Sequence, residues 1–317
     1  MSAAGGPARL MVTGATGFVG SLVRRRLEAS ASGWAPRFIS RKASPGLDGL
    51  DLRDAEAVDN WIGQHRPTHV LHLAGQASPV LAERSRAECW DANVTATCNL
   101  ANSLAKHSPG CVFVFASTVH VYGRAFSAGQ PIAESAPLAP DSVYGRTKLA
   151  AEFALQSLLA PNAQVVCLRL VNHIGAGQSR EFAFPSFAAQ IAEAEARRSP
   201  GTIEVGNLAV ARDFLAAHDA VSAYLAVLGS AGQAQGFEAF NVASGRCTAV
   251  GQLLEHLVAH ARVPMTVVVS AARQRQGELP TMPVDATRFR ERFGWEPRKA
   301  LEPVLLELLE WSRTISS

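Results

Sequence analysis

Tyr144 and Lys148 are the pair of residues in this sequence with the clearest capacity for chemistry. They lie four positions apart in YGRTK (144–148), at the start of a segment, 144–158, with helical spacing. Residues four apart share a helix face, so the Lys148 ammonium would lie beside the Tyr144 phenol. A free phenol has a pKa of about 10, and we expect the ammonium to lower it toward neutrality. The pair indicates proton exchange with a carbonyl or an alcohol.

A hydroxyl that could assist this pair follows the apolar run CVFVFA (111–116). The run predicts a buried strand, and Thr118 would place its hydroxyl at the carboxyl end of that strand. There it could hydrogen-bond a reacting carbonyl. Ser117, directly before it, is the second candidate for the same role.

A glycine-rich turn, VTGATGFVG (12–20), joins the first predicted strand to the first predicted helix. Glycines permit a tight turn and a close backbone approach, and the helix N-terminus would face a pyrophosphate. The spacing is GxxGxxG rather than GxGxxG. Its place between strand and helix favours a dinucleotide site over a simple turn. The predicted contacts are Gly14, Thr16, Gly17, Phe18, Val19 and Gly20.

The end of the second predicted strand, 38–39, bears on the choice of dinucleotide. An acidic residue there would bind the ribose hydroxyls of NAD, whereas an arginine accommodates a 2′-phosphate. The sequence continues Ser40, Arg41, Lys42, with two cations and no acid. A solvated basic turn is the alternative, but the pattern favours NADP(H), with Ser40 and Arg41 near the phosphate.

Strands alternating with helices predict the scaffold that positions these residues. Predicted strands at 10–12, 38–39, 68–73, 111–116 and 164–170 alternate with predicted helices at 18–27, 54–65, 91–106 and 144–158. This order is typical of a doubly wound α/β domain with a parallel sheet. After residue 172 we expect a smaller lobe with helices at 184–197, 217–228, 250–261 and 301–311. The predicted Rossmann domain spans 1–171 plus about 214–246, and the lobe spans about 172–213 plus 247–317.

Charge and composition limit the binding partners and the cellular compartment that we expect for this protein. The chain of 317 residues has a formal charge of +3, which is too small and scattered to indicate nucleic acid. Five cysteines form no CxxC pair, so we expect no metal site, and Cys111 and Cys167 fall in apolar runs. No apolar run approaches the roughly 20 residues of a spanning helix, and no membrane partner is expected. We predict a cytoplasmic protein.

The motifs together resemble the extended short-chain dehydrogenase/reductase superfamily, the NAD-dependent epimerases and dehydratases, over nearly the whole chain. The matching stretches are TGATGFVG, HLAGQ (72–76), the helix of Asn93, STVHVYG (117–123) and YGRTK. The resemblance implies a catalytic triad of Thr118, Tyr144 and Lys148, with Asn93 steadying the lysine through water and an oxidised nicotinamide helping to lower the phenol's pKa. Further implied cofactor contacts are Asp51, Leu52, Leu73, Ala74, Gly75, Asn93 and Leu170.

The second half is similar to the GDP-4-keto-6-deoxy-D-mannose reductases and the related GDP-mannose dehydratases. The stretches are RLVNHIGAGQ (169–178), VGNL (205–208), RDF (212–214), RQGELP (275–280) and GWEP (294–297). The resemblance implies that Asn172, Arg212 and Arg275 hold a diphosphate, with Glu278 near the nucleoside and Gln76 at the sugar. Arg275 could equally belong to a solvated basic turn, because Arg273 lies beside it.

His120 marks a departure from the dehydratases. In that family the residue two before the tyrosine of VYG is usually glutamate, and here Val119 and His120 precede Val121 and Tyr122. A histidine could move protons at neutral pH. It could also only hydrogen-bond a sugar hydroxyl, and we favour this passive role.

The resemblance implies reduction, by NADPH, of the C4 ketone of a nucleotide-linked 4-keto-6-deoxyhexose. GDP-4-keto-6-deoxy-D-mannose would give GDP-D-rhamnose or GDP-6-deoxy-D-talose. A 4-epimerase with tightly held NAD is the alternative, and a non-catalytic NADP-sensing protein is a weaker one. By the same analogy the protein is a homodimer that pairs the helices of Asn93 and Tyr144.

Overall fold

The computed structural model describes residues 8–29, 33–230, 235–274 and 278–316. The strands are β1 (Ala8–Thr13), β2 (Trp34–Ser40), β3 (Asp48–Gly49), β4 (His69–His72), β5 (Val112–Thr118), β6 (Gln164–Leu170), β7 (Asn172–Ile174), β8 (Gly201–Val205), β9 (Ala211–Ala216), β10 (Gly236–Val242), β11 (Cys247–Ala249), β12 (Met265–Val269) and β13 (Thr281–Met282). The helices are α1 (Phe18–Glu28), α2 (Ala55–His65), α3 (Pro79–Arg84), α4 (Arg86–Trp90), α5 (Ala96–His107), α6 (Val143–Leu158), α7 (Ala183–Ala196), α8 (Ala217–Gly229), α9 (Val250–Ala259), α10 (Thr287–Phe293) and α11 (Leu301–Ser316).

A large parallel sheet forms the centre of the molecule, which confirms the predicted doubly wound α/β fold. Within the described residues its seven strands follow the order β3-β2-β1-β4-β5-β6-β10. The chain builds outward from β1 in both directions, so the order reverses between β1 and β4. Open α/β sheets bind ligands at this switch point, beyond the carboxyl ends of the strands.

The strands are apolar on both faces because helices cover both faces. Along β5, Val112 and Val114 pack into the cluster that includes α1 and α8. Phe113 and Phe115, pointing the other way, pack against α2, α5 and α6. This two-sided burial explains the near-continuous apolar runs that predicted the central strands.

The helix predicted at 91–106 is interrupted at its start. A π turn, Asp91–Thr95, follows α4 and precedes α5. Helical periodicity alone does not distinguish this turn from an α-helix, because it adds a single residue to one turn. Such turns occur frequently at functional sites, and this one carries Asn93.

The second lobe has its own core. The helices α7, α9 and α11 surround β9, which pairs with β7, β11 and β13, while β8 pairs with β12. Sequence periodicity predicted α7, α9 and α11 but not α10, nor the strands β7, β9, β11, β12 and β13, most of which are only two or three residues long. After the first strands of the second lobe, β10 returns to the large sheet. We therefore propose the division indicated by the sequence: a Rossmann domain of 1–171 plus about 214–246, and a lobe of about 172–213 plus 247–317.

Cys111 and Cys167 are buried free thiols, as their apolar surroundings predict. Burial raises the pKa of Cys111 to about 12. In the ranges that the structure covers, no helix combines the length and apolar character needed to cross a membrane.

Candidate active site

The glycine-rich turn between β1 and α1 has the shape of a phosphate cradle. Gly14 has φ +70°, and a Cβ there would lie 2.7 Å from the Ala74 nitrogen. A Cβ on Gly20 would overlap the Gly14 carbonyl oxygen. Gly17 precedes α1, and no described side chain caps that helix, so its first N–H groups are open to an anion. Thr16 is exposed, and Phe18 and Val19 are half-buried. These features fit a dinucleotide pyrophosphate.

The end of β2 adjoins this cradle, because the Ala15 N–H donates to the Ile39 carbonyl at 3.2 Å. Arg41 is exposed, directly after Ser40, whose hydroxyl donates to the Lys42 carbonyl. The Leu50 N–H donates to the Ser40 carbonyl over 2.8 Å, which fixes the strand end. The geometry leaves the Arg41 side chain at the surface, where a ribose phosphate could reach it.

Asp51 and Leu52 follow β3 on the same edge of the sheet. Leu52 is buried, whereas Asp51 accepts a hydrogen bond of 2.9 Å from Arg53 Nε. This bond lowers the pKa of Asp51 to about 2. Arg53 was not indicated by any sequence motif, and any ligand that donates a hydrogen bond to Asp51 must share that carboxylate with the guanidinium.

The segment after β4 meets α6 at Gly75. Gly75 has φ +148°, and a Cβ there would lie 2.5 Å from Asn93 Oδ1 and 3.5 Å from Lys148 Nζ. Asn93 Oδ1 accepts from the Gln76 N–H at 2.8 Å, and its Nδ2 donates to Thr147 Oγ1 at 2.9 Å. Asn93 therefore ties this segment to α6, beside Lys148.

The other predicted residues of this segment differ in their surroundings. Leu73 and Ala74 lie against Gly14 across the turn. The side chain of Gln76 accepts a hydrogen bond of 2.9 Å from the Ser78 N–H, just before α3. Gln76 thus organises its own loop, and its contact with a sugar stays a prediction.

The proposed triad assembles where β5 meets α6. Ser142 caps α6 by accepting from the Gly145 N–H at 3.1 Å, which fixes the helix start just before Tyr144. The Thr118 hydroxyl hydrogen-bonds the Tyr144 phenol. Leu170, at the end of β6, pairs with Thr118 across the sheet. The end of β5 and the start of α6 thus bring the hydroxyls of Thr118 and Tyr144 together.

Lys148 lies one helical turn further along α6. Its ammonium donates to the Ala116 carbonyl at 2.9 Å and lies 4.8 Å from the centre of the Phe115 ring. Lys148 is 4% exposed. Its charge is therefore held at the base of the site rather than in solvent.

The pKa of Tyr144 moves in the opposite direction to the one expected from the sequence. Burial raises it to about 12, although the hydrogen bond from Thr118 lowers it in part. Burial also lowers the pKa of Lys148 to about 8. The expected lowering, by the ammonium together with an oxidised nicotinamide, is thus not met by the protein alone, because desolvation dominates both groups. The contribution of a nicotinamide stays a prediction.

Ser117, the second candidate hydroxyl, is engaged elsewhere. It donates to Glu152, which also accepts from Arg169 at 2.7 Å in a buried ion pair. Arg169 donates onward to the Tyr122 hydroxyl at 2.9 Å, and that hydroxyl donates to Asn241 at 2.8 Å. The geometry therefore favours Thr118 as the partner of Tyr144. Glu152, eight residues after Tyr144, shares its helix face, so helical spacing could have revealed it.

His120 lies between the triad and a cavity. Its ring meets the Tyr144 ring edge-on, with centroids 5.8 Å apart. The backbone N–H of His120 donates to Thr118 Oγ1 at 3.3 Å. The cavity is small and open to solvent. Its lining comprises Val119, His120, Val171, Asn172, Arg212, Asp213 and Met282. His120 is thus placed to contact whatever substrate Tyr144 contacts.

The predicted diphosphate residues are only partly brought together. Asn172 and Arg212 line the same cavity, and Asn172 is exposed. Arg212 also pairs with Glu278 at 3.5 Å and donates to the Ala211 carbonyl at 2.8 Å. Two residues expected to bind different parts of a ligand therefore contact each other. Arg275 lies outside the described residues.

The family model described as the NAD dependent epimerase/dehydratase family matches residues 10–243. The chain is 33% identical to the GDP-6-deoxy-D-mannose reductase of Pseudomonas aeruginosa, covering 97% of this chain and 98% of that protein. It is 27% identical to the dTDP-L-rhamnose 4-epimerase of Burkholderia thailandensis, covering 96% and 94% respectively.

A solved structure, RMD from Pseudomonas aeruginosa complexed with NADPH, has the same fold. The two chains superpose with a TM-score of 0.85 at 31% identity, covering 98% of this chain and 99% of the other. Their similarity extends over both the large sheet and the second lobe.

Proposed function

The chain belongs to the NAD dependent epimerase/dehydratase family, and from this premise we propose that it is an NADPH-dependent sugar-nucleotide 4-ketoreductase. The substrate we propose is GDP-4-keto-6-deoxy-D-mannose, and the product is GDP-D-rhamnose or GDP-6-deoxy-D-talose. Similarity to a GDP-6-deoxy-D-mannose reductase over nearly the whole chain supports this substrate.

The observation that carries the proposal is the hydrogen bond between the Tyr144 phenol and Thr118, next to His120, which lines the cavity. Because burial raises the pKa of Tyr144 to about 12, the phenol keeps its proton at neutral pH. Reduction of a ketone produces an alkoxide, which needs a proton donor. Tyr144 fits that role, and Thr118 would turn its one hydroxyl hydrogen from the phenol to the carbonyl oxygen and so orient it.

NADPH, when bound, supplies the hydride for this reduction. Lys148 would bind the nicotinamide ribose from the base of the site and stabilise negative charge as the Tyr144 proton leaves. Arg41 would take the 2′-phosphate, and the turn at Gly14 would hold the pyrophosphate. The NADPH in the solved relative supports this choice of cofactor.

The cavity lining supports reduction over dehydration. Dehydration needs a base that removes a proton from the sugar, and His120 stands where the dehydratases usually have glutamate. The cavity does contain the carboxylate of Asp213, but it accepts hydrogen bonds from Ser244 N at 2.9 Å and Gly245 N at 2.7 Å. Asp213 is therefore used to hold a loop. We propose that His120 hydrogen-bonds a sugar hydroxyl.

The second lobe would hold the nucleotide. Asn172 and Arg212 line the cavity and would bind the diphosphate together with Arg275, while Glu278 would lie near the nucleoside. A guanidinium suits a phosphate because it offers paired N–H donors. Binding would require Arg212 to turn from Glu278 toward the phosphate.

A 4-epimerase is the second candidate, because the chain also resembles a dTDP-L-rhamnose 4-epimerase over most of its length. An epimerase of this kind would retain NAD and show no net oxidation or reduction. A non-catalytic NADP-binding protein is disfavoured by the assembled contacts of Thr118, Tyr144 and Lys148.

The proposed function is tested by incubating the purified protein with NADPH and GDP-4-keto-6-deoxymannose. We expect loss of the reduced nicotinamide absorbance, in proportion to the sugar nucleotide consumed. GDP-mannose, which has no ketone at C4, is the matched control and should cause no loss. Absence of consumption with every 4-keto sugar nucleotide offered would contradict the proposal.

We also propose a homodimer formed by α5 and α6 with their counterparts in a second copy. Two large apolar side chains on α4 and α6 support it, since Trp90 is 49% exposed and Phe153 is 53% exposed. Sedimentation of the purified protein should give twice the chain mass. A monomer at all concentrations would contradict this assembly.

A further inference from the structure

His72 lies at the carboxyl end of β4 with its ring fully buried. The ring packs against Phe113 and Phe115, with centroids 5.7 and 5.6 Å away. Both ring nitrogens face threonine hydroxyls: Nδ1 lies 2.7 Å from Thr13 Oγ1, and Nε2 lies 3.0 Å from Thr97 Oγ1. A neutral imidazole has one donor and one acceptor, so these two contacts must differ in direction.

The neighbouring hydrogen bonds fix that direction. The Thr97 hydroxyl donates to the Asn93 carbonyl at 2.7 Å, so its oxygen must accept from His72 Nε2–H. On the other side, Thr13 Oγ1 accepts from the Ala74 N–H at 3.2 Å, which leaves its own hydrogen for His72 Nδ1. The hydrogen bonds therefore all point in the same direction, from the Ala74 N–H through Thr13, His72 and Thr97 to the Asn93 carbonyl.

The chain of bonds ends in the π turn that presents Asn93. An α-helix would pair each carbonyl with an N–H four residues later, and the π turn breaks that pattern. The Thr97 side chain supplies a donor to the Asn93 carbonyl at this break. The Asn93 side chain then holds the Gln76 backbone and Thr147, beside Lys148. His72 is therefore the central link between the cofactor turn and the catalytic lysine.

We propose that His72, as the neutral imidazole protonated on Nε2, is a positioning residue that sets the place of Asn93 and, through it, of residue 75 and Lys148. This inference rests on the proposed function only where NADPH binding is the readout. Burial, with a smaller effect of the Lys148 ammonium, lowers the pKa of His72 to about 3. The ring accordingly keeps the same donor and acceptor across the working pH range.

Thr97→Val tests the proposal with little change of shape, because it removes the hydroxyl that links His72 to Asn93. We expect NADPH to bind about tenfold more weakly, since an unpaired Nε2–H and a released Asn93 carbonyl remain buried. Thr97→Ser restores the hydroxyl and should restore the affinity. The matched control is Ser103→Ala, which removes another buried hydroxyl of α5, bonded to Asp59 at 3.2 Å.

Each result decides for or against the positioning role. Weak NADPH binding in Thr97→Val, rescue in Thr97→Ser and normal binding in Ser103→Ala would support it. Equal affinity in Thr97→Val and Ser103→Ala, at equal loss of thermal stability, would overturn it, because His72 would then act on stability alone.

A nitrogen-15 spectrum of the histidines gives a readout that needs neither substrate nor cofactor. We expect the His72 signals to show a protonated Nε2 and an unprotonated Nδ1, unchanged from pH 5 to pH 8, roughly the range over which free histidine titrates. A proton on Nδ1, or titration within this range, would overturn the proposal. Failure of the reductase assay alone would leave this result unaffected.

Discussion

The two sides of the cavity are built differently. On the side of the large sheet, Tyr144 and Lys148 are each held by hydrogen bonds to buried partners. On the side of the second lobe, Asn172 is exposed, and Arg212 pairs with Glu278, another residue expected to bind the ligand. The groups proposed to react are thus fixed in advance, whereas the groups proposed to bind the nucleotide would exchange a protein partner for a ligand.

The difference follows from what each side must do. Proton donation requires the phenol and its partners to be placed to within a fraction of an ångström, and buried hydrogen bonds secure this. Diphosphate binding tolerates rearrangement, because a flexible guanidinium can move from a carboxylate to a phosphate. Variants on the first side should therefore affect catalysis or stability, and variants on the second side should affect binding.

Tyr144→Phe should have the largest effect, because it removes the proposed proton donor while leaving the ring in place. We expect kcat to fall by about a hundredfold to ten-thousandfold, with NADPH binding nearly unchanged. Steady-state kinetics and a NADPH titration measure the two quantities. Retention of more than about a tenth of the activity would mean that another group donates the proton.

Glu152→Gln should show that residues on the side of the large sheet also contribute to the free energy of unfolding. The variant leaves Arg169 buried without its carboxylate, so the free energy of unfolding should fall by about 3 kcal/mol or more. Denaturant unfolding measures it. Glu193→Gln, which breaks the exposed pair with Arg180, is the control and should cost less than about 1 kcal/mol. Equal losses of unfolding free energy in the two variants would show that the buried ion pair contributes no more than the exposed one.

Arg212→Ala should identify the lobe as the binding side. We expect KM for the sugar nucleotide to rise by about tenfold to a hundredfold, because a hydrogen-bonded charge contributes about 1.5–3 kcal/mol, while kcat changes little. Arg262→Ala, in the same lobe away from the cavity lining, serves as control. A fall in kcat at constant KM would place Arg212 with the catalytic group instead.

Arg41→Ala should have the smallest effect, because the side chain is exposed and its attraction to phosphate is screened. We expect NADPH affinity to fall by roughly tenfold and NADH affinity to change little. Arg37→Ala removes another exposed cation of the same sheet edge and should affect neither. Equal losses for both cofactors would show that Arg41 does not contact the 2′-phosphate.

The sequence located the residues on the side of the large sheet, because the positions of these residues follow from local patterns. A strand end, a tight glycine turn and a spacing of four on a helix locate Thr118, Gly14, Tyr144 and Lys148 without knowledge of the rest of the chain. The direction of the Tyr144 pKa shift could not be predicted in this way. It depends on how completely neighbouring elements bury the phenol, which a sequence pattern does not give.

Contacts between distant segments account for most of what the sequence did not reveal. The pairing of Arg212 with Glu278 joins β9 to a loop 66 residues later. The bonds of His72 join β1, β4 and α5, and the π turn at Asn93 differs from an α-helix by one residue. Residue types and spacings identified the participants but not these pairings.

Product analysis with NADPH deuterated at its transferable position tests the central claim most directly. Reduction predicts a GDP-6-deoxyhexose carrying one deuterium at C4 for each NADPH consumed. Recovery of the 4-keto sugar nucleotide without deuterium and without loss of NADPH, together with inversion at C4 of a 4-hydroxy sugar nucleotide supplied in its place, would contradict it and establish the epimerase instead.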